Sequence, residues 1–162
     1  MNFLDLAKEI EETIIKDRRN LHKIPELELN LPKTVAYVEE ELKSLGIPYK
    51  KLVNGNALVA EIGTYKGKCI AIRADMDALP ITEETGLDFK STHQGCMHAC
   101  GHDGHTAMAL GAARLLKENE DKLDGLVKIF FQPSEEIPGG AKPMIDEAVS
   151  YTHLRAHETL RY

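Results

Sequence analysis

Positive charge is in short supply in this sequence, which has 20 lysine and arginine residues against 26 aspartate and glutamate residues, a formal net charge of −6. This balance argues against a surface that neutralises nucleic-acid phosphates or anionic lipid, so we expect neither nucleic acid nor membrane as a partner. No apolar run is long enough for a membrane span or the core of a secretory signal. We therefore expect a cytoplasmic protein.

Cysteine is also scarce, since the 162 residues contain three, Cys69, Cys96 and Cys100. Three unevenly spread cysteines cannot form a disulfide framework in a chain of this length. Cys96 and Cys100 lie close to histidines, which in a reducing compartment indicates metal or thiolate chemistry. Cys69 lies within an apolar run and is interpreted as a small buried hydrophobic residue.

Helical periodicity appears in three stretches. Residues 3–21 carry apolar side chains at helical intervals among charges, which predicts an amphipathic helix. A second helix is predicted from Val35 to Leu45, ending at Gly46. A third is predicted over residues 106–117, with Asp103 as its N-cap.

Short apolar runs predict strands at residues 57–62, 69–74 and 126–131. We expect the first two to pair as neighbours, and the second, nearly all apolar, to be covered on both sides. The order of helices and strands predicts an α/β fold, a three-layer arrangement of a mixed sheet flanked by helices.

Residues 96–105 hold the densest group of metal-binding side chains, in the connection between the second strand and the third helix, where α/β sheets build their sites. Cysteine and neutral imidazole suit zinc and its neighbours, and Gly101 and Gly104 let the backbone fold closely around an ion. Cys100 and His102 can converge from a turning backbone but not from a regular helix. The alternative is a closed zinc knot of Cys96, His98, Cys100 and His102, although structural zinc sites usually use two separated ligand pairs.

Two carboxylate pairs follow predicted strands. Glu135 and Glu136 leave the third strand and can point in different directions, one binding an ion and its neighbour handling protons; a solvated loop is the alternative. Asp75 and Asp77 follow the second strand at alternate positions. They could bind metal or orient a ligating histidine, or Asp77 could satisfy backbone donors in a turn.

Four motifs, at residues 18–27, 73–80, 98–105 and 131–142, resemble the N-terminal part of the metal-dependent amidohydrolases. That family, within the zinc-peptidase superfamily, includes hippurate hydrolase, N-acyl-amino-acid deacylases and plant auxin-conjugate hydrolases. The resemblance implies the N-terminal part of a dinuclear-metal, aminopeptidase-like catalytic domain over residues 1–148. It also implies two divalent ions (zinc, manganese, cobalt or nickel), hydrolysis of the amide bond of small N-acyl amino acids, and a homodimer in the longer protein.

The resemblance further implies roles for individual residues. Cys100 would bridge the two metals, His102 and Glu136 would bind one each, and Glu135 would be the general base. Four residues would support them: Asp75, Asp77, Asp103 and His105. The roles of His22 and His93 stay open, and for His22 a satisfied histidine at a helix end is favoured.

The segment at residues 149–162 does not continue the pattern of the fold. It resembles the translated end of a sequencing transposon adapter, so we expect it to be non-native and assign no ligand role to His153 or His157.

Family members continue for well over twice this length and supply two more histidine ligands. The chain as given is therefore expected to be truncated, to bind metal weakly and to be inactive, with apolar surface exposed. The competing interpretations are a small zinc-binding interaction module and a peptidase of the same superfamily.

Overall fold

The computed structural model describes residues 2–137 and 139–147, which form a mixed α/β arrangement. None of the helices in these two ranges is both long and apolar enough to cross a lipid bilayer. The predicted adapter-like segment lies outside the described residues. In chain order the elements are α1 (Phe3–Glu9), α2 (Glu11–His22), α3 (Pro32–Ser44), β1 (Tyr49–Leu52), β2 (Ala57–Gly63), β3 (Lys68–Asp75), α4 (His102–Glu118), β4 (Gly125–Gln132) and α5 (Ala141–Asp146).

The four strands lie in the order β1-β2-β4-β3. β2 pairs antiparallel with β1 and with β4, whereas β3 pairs parallel with β4. The prediction that β2 and β3 are neighbours is therefore wrong. β4 lies between them because it is the strand suited to the centre, with every residue after Gly125 buried. A Cβ at Gly125 would lie 2.3 Å from the Lys68 carbonyl oxygen, so only glycine allows this close approach of β4 to β3.

β3 differs from its prediction in a second way. An apolar strand covered on both sides was expected, but within residues 2–137 and 139–147 β3 is an edge strand and Ile70 is 62% exposed. Its last residues, Ala74 and Asp75, are buried. The edge of β3 is thus open along most of its length and closed where the candidate site begins.

Each face of the sheet has its own core because successive side chains of a strand point to opposite faces. One face packs against α3 and α4, and its centre includes Leu58, Ile62, Leu110, Ile129 and Phe131. The other face packs against α5 through Met144, with Val59 and Phe130. Helices on both faces agree with the predicted three-layer α/β architecture.

Most predicted elements are confirmed, with two differences in the helices. The first predicted helix is two, because the backbone at Ile10 leaves helical geometry with φ −103° and ψ 9°. The N-cap of α4 is Gly101 rather than Asp103, which lies in the first turn. Instead of capping α4, the side chain of Asp103 contacts α2. Asp103 Oδ2 lies 2.7 Å from His22 Nδ1 and 3.0 Å from Arg18 Nε.

Candidate metal centre

The candidate site lies where the parallel strands β3 and β4 end side by side. Asp75, the last residue of β3, pairs with Gln132, the last residue of β4. The loop after β4 carries Glu135 and Glu136, and α4 begins nearby at His102. Carboxyl ends of parallel strands are the usual place for ligand sites in α/β sheets, so the fold brings the predicted side chains to one location.

His102 is the fixed point of this site. It is 2% exposed, and its Nδ1 donates a hydrogen bond of 2.8 Å to the carbonyl oxygen of Asp77. Because the proton is then on Nδ1, Nε2 carries a free lone pair. That nitrogen faces three carboxylates, at 3.7 Å from Asp75 Oδ1, 3.7 Å from Glu136 Oε1 and 3.9 Å from Glu135 Oε2.

Cys100, His102 and Glu136 come together from two loops. One ligand atom from each, the sulfur, the imidazole nitrogen and a carboxylate oxygen, lies within 4.8 Å of the others. Gly101 makes the convergence of Cys100 and His102 possible, since its φ of +86° turns the backbone in a way that a side chain disfavours. Gly104, also expected to shape the loop, lies instead within α4, so that expectation is wrong.

The electrostatics of this group suit a cation. A hydrogen bond with Glu136, together with partial burial and the charges of Glu136, Glu135 and Asp75, raises the pKa of the Cys100 thiol to about 11. Negative charge is therefore concentrated around one imidazole nitrogen. A bound divalent cation reverses such a shift and deprotonates a coordinating thiol, and thiolate, imidazole and carboxylate together match the ligand preferences of zinc and related ions.

Glu135 lies at the open side of the group. Its side chain is 41% exposed, more than that of Glu136 at 27%, and both reach toward His102 Nε2. The two adjacent glutamates thus present one carboxylate among the candidate ligands and one toward solvent.

Asp75 and His105 form a second cluster of possible ligands together with His102. His105 Nδ1 lies 2.6 Å from Asp75 Oδ1, and the rings of His105 and His102 stack with centroids 5.7 Å apart. Ligand atoms of Asp75, His102 and His105 also lie within 4.8 Å of one another. Although burial alone would raise it, the hydrogen bond that His105 donates and the positive charge of Arg73 hold the pKa of Asp75 below its usual value.

A buried polar network lies behind His102. His22, the last residue of α2, has Nδ1 bonded to Asp103 and Nε2 3.3 Å from Glu83 Oε1, so both its nitrogens have partners, as favoured from the sequence. Glu83 was not picked out from the sequence, because an acidic residue in a long loop carries no pattern that marks it as buried. His93 is bound elsewhere, to the Pro25 carbonyl oxygen and Lys33.

The alternative of a closed zinc knot is not supported by the geometry. Among the described residues, neither Cys96 nor His98 belongs to a group of side chains close enough to share an ion. Cys96 is buried, and burial raises the pKa of its thiol. His98 is buried as well, and its burial lowers its pKa to about 4.

Known proteins with similar sequences include two enzymes. Over 139 residues the chain is 48% identical to an N-acetyl-L-cysteine deacetylase of Bacillus subtilis, covering 85% of this chain and 33% of the relative. Over 147 residues it is 49% identical to thermostable carboxypeptidase 1 of Saccharolobus solfataricus, covering 88% of this chain and 37% of the relative. The chain thus spans about a third of the length of these proteins.

The fold is also found in solved structures. The crystal structure of a dinuclear metal-binding peptidase of the M20 family from Bacillus subtilis superposes with a TM-score of 0.81 and 42% identity, covering 86% of this chain and 40% of that protein. Residues 71–160, which include the second half of β3 and all of α4 and β4, match the sequence pattern of peptidase family M20/M25/M40. The chain belongs to this family.

Proposed function

We propose that this chain is part of an enzyme that hydrolyses the amide bond of N-acyl amino acids with two divalent metal ions. The observation that carries the proposal is the convergence of Cys100, His102 and Glu136 within 4.8 Å. Relatives that include an N-acetyl-L-cysteine deacetylase and a dinuclear metal-binding peptidase support it. The ligand types suit zinc, manganese, cobalt or nickel.

The proposed ligand roles follow the family resemblance. Cys100 would be shared by the two ions, and His102 and Glu136 would each hold one of them. The ions would supply Lewis-acid polarisation of the substrate carbonyl and of the attacking water. His102 can fill its role because its Nδ1 proton is engaged by Asp77, which leaves Nε2 as the donor atom.

Glu135 is the proposed general base. Its carboxylate takes a proton from the attacking water as the carbon–oxygen bond forms, and it returns that proton to the nitrogen as the carbon–nitrogen bond breaks. The position of Oε2, 3.9 Å from His102 Nε2 on the exposed side of the group, lets it contact both the ligand cluster and an incoming substrate.

The proposal assigns residues 1–148 to the N-terminal part of the catalytic domain and leaves residues 149–162 as an adapter-derived segment. Three ligand groups are too few to complete two metal sites, which each need about three protein ligands. We therefore propose that further ligands come from sequence outside the described residues, that the longer protein is a cytoplasmic homodimer, and that this chain alone binds metal weakly without turnover.

A peptidase of the same family is the second candidate, favoured by the similarity to thermostable carboxypeptidase 1. Both candidates break an amide bond with the same groups. The substrate of the longer protein distinguishes the two candidate functions: an amidohydrolase would cleave N-acyl amino acids, whereas a peptidase would cleave peptides with a free amino group.

A chimera tests the role of Glu135. Residues 2–147 would replace the corresponding segment of the Bacillus subtilis N-acetyl-L-cysteine deacetylase, and release of acetate from N-acetyl-L-cysteine would be measured with a divalent ion present. We expect the chimera to be active, and Glu135→Gln to lower kcat by about a hundredfold or more because the base is lost. Metal content should be unchanged.

The matched control is Glu118→Gln at the exposed end of α4, which should leave kcat unchanged. An active Glu135→Gln chimera would rule out this residue as the base. The unfused chain is assayed in parallel, and measurable hydrolysis by it would contradict the need for further ligands.

A further inference from the structure

Asp77 is the residue to which both loops of the candidate centre are attached. It lies two residues past the end of β3 and is 1% exposed. Its Oδ1 accepts a hydrogen bond of 2.9 Å from the backbone N–H of Glu135, and its Oδ2 accepts one of 3.2 Å from that of Glu136. A buried carboxylate therefore has its charge balanced by two consecutive peptide groups.

Two successive N–H groups can point at one anion only when the backbone at that place is curved into a small concave nest. Ser134, immediately before the pair, contributes this curvature through a φ of +55°. Because the peptide planes of Glu135 and Glu136 are held by one carboxylate, the directions in which the two side chains leave the backbone are held as well.

The same residue also orients His102. The Asp77 carbonyl oxygen accepts from His102 Nδ1 at 2.8 Å, and the Asp77 carboxylate Oδ1 lies 3.4 Å from that nitrogen. One residue thus sets the tautomer of the candidate histidine ligand and the position of the glutamate pair. The distances of 3.7 and 3.9 Å from His102 Nε2 to Glu136 and Glu135 depend on both attachments.

We infer that Asp77 is a positioning residue that fixes the spacing between the general base, Glu135, and the ligands His102 and Glu136. It does so through the hydrogen bonds that its carboxylate accepts from the backbone of the two glutamates. The expected effect of Asp77 on metal affinity rests on the proposed function. The effect of Asp77 on the backbone of Glu135 and Glu136 concerns the chain without metal, so the two effects can be tested separately.

The test is Asp77→Asn in the chain as it stands, with ¹H–¹⁵N NMR of the metal-free protein and cobalt titration followed by absorption. An asparagine side chain has one acceptor oxygen and places a donor against the other N–H. We therefore expect the amide resonances of Glu135 and Glu136 to move upfield and exchange faster while circular dichroism is unchanged. Cobalt affinity should fall about tenfold or more, as for loss of a residue that supports a metal ligand.

Two further variants sharpen the result. Asp17→Asn is the matched control, because Asp17 is also buried but receives its hydrogen bonds from the side chains of Arg114 and Tyr37; it should leave the Glu135 and Glu136 amides in place. Asp77→Glu keeps both acceptor oxygens on a longer side chain and should give partial recovery of amide shifts and of affinity, which also covers the case in which Asp77→Asn does not fold.

Unchanged Glu135 and Glu136 amides in folded Asp77→Asn would overturn the inference, as would shifted amides with unaltered cobalt affinity. If the unsubstituted chain bound no cobalt, the proposed metal centre would be contradicted instead, and the metal-free amide comparison would still decide whether Asp77 holds the glutamate loop.

Discussion

Three glycines near the candidate centre have different roles that sequence alone does not separate. Gly101 adopts a φ of +86° between two candidate ligands, whereas Gly104 has ordinary helical geometry and open space around it. Gly140 has the strictest requirement, because a Cβ there would lie 1.8 Å from the Pro133 carbonyl oxygen. The loop after β4 can fold back under Glu135 and Glu136 only because this position has no side chain.

We expect Gly140→Ala to destabilise the protein by about 1 to 3 kcal/mol, since the added methyl group forces the backbone of Pro133 and Ser134 to move. Moving these residues displaces Glu135 and Glu136, so cobalt affinity should fall as well. Urea unfolding and cobalt titration measure the two effects.

The matched control is Gly104→Ala, which adds the same methyl group inside α4, where no described atom outside the local helix backbone lies within 4 Å of it. It should stabilise the helix by up to about 1 kcal/mol because alanine has the higher helix propensity. Equal stability of the two variants would show that the close approach at Gly140 is not a real constraint.

Among the helices, a charged cluster joins α2, α3 and α4. Arg114 of α4 donates to Asp17 of α2 at 2.7 Å and to Glu41 of α3 at 2.6 Å. Tyr37 donates to the second oxygen of Asp17 at 2.7 Å, and burial together with the charge of Asp17 raises the pKa of Tyr37. The cluster fixes α4, and with it His102, against the other helices.

Arg114→Met should lower the free energy of unfolding by about 3 kcal/mol, because it removes one partner and leaves Asp17 buried without its cation. Lys16→Met is the control, on the exposed side of α2, and should change stability by less than about 0.5 kcal/mol. Urea unfolding of both variants measures this, and a loss below about 1 kcal/mol in Arg114→Met would show that the cluster does not hold the helices together.

The elements themselves were largely predictable, and their arrangement was not. Apolar periodicity located α3, α4, β2, β3 and β4, because burial of one face or of a whole strand leaves a direct trace in the sequence. Strand order leaves no such trace, so the place of β4 between β2 and β3 was missed. The short elements β1 and α5 were also missed, since four to six residues contain too few apolar positions to show the repeat that identifies a strand or a helix.

For the molecule as a whole, the candidate centre is assembled from three stretches far apart in sequence: Asp75 and Asp77, Cys100 to His105, and Glu135 with Glu136. Their chemistry was predictable because thiolate, imidazole and carboxylate followed predicted strands. The backbone contacts of Asp77 and the burial of Glu83 were not, since both depend on tertiary packing. Large apolar side chains are exposed on both β3 and α4, where Ile70 and Met108 are 62% and 57% exposed.

The central claim is that Cys100, His102 and Glu136 share a divalent ion, and cobalt absorption tests it most directly. Cobalt bound by a thiolate has a sulfur-to-metal charge-transfer band in the near ultraviolet. We predict this band in the unsubstituted chain and in Cys96→Ser, and its loss in Cys100→Ser, with weaker binding in Glu136→Gln. A band that survives Cys100→Ser, or that disappears in Cys96→Ser instead, would contradict the claim.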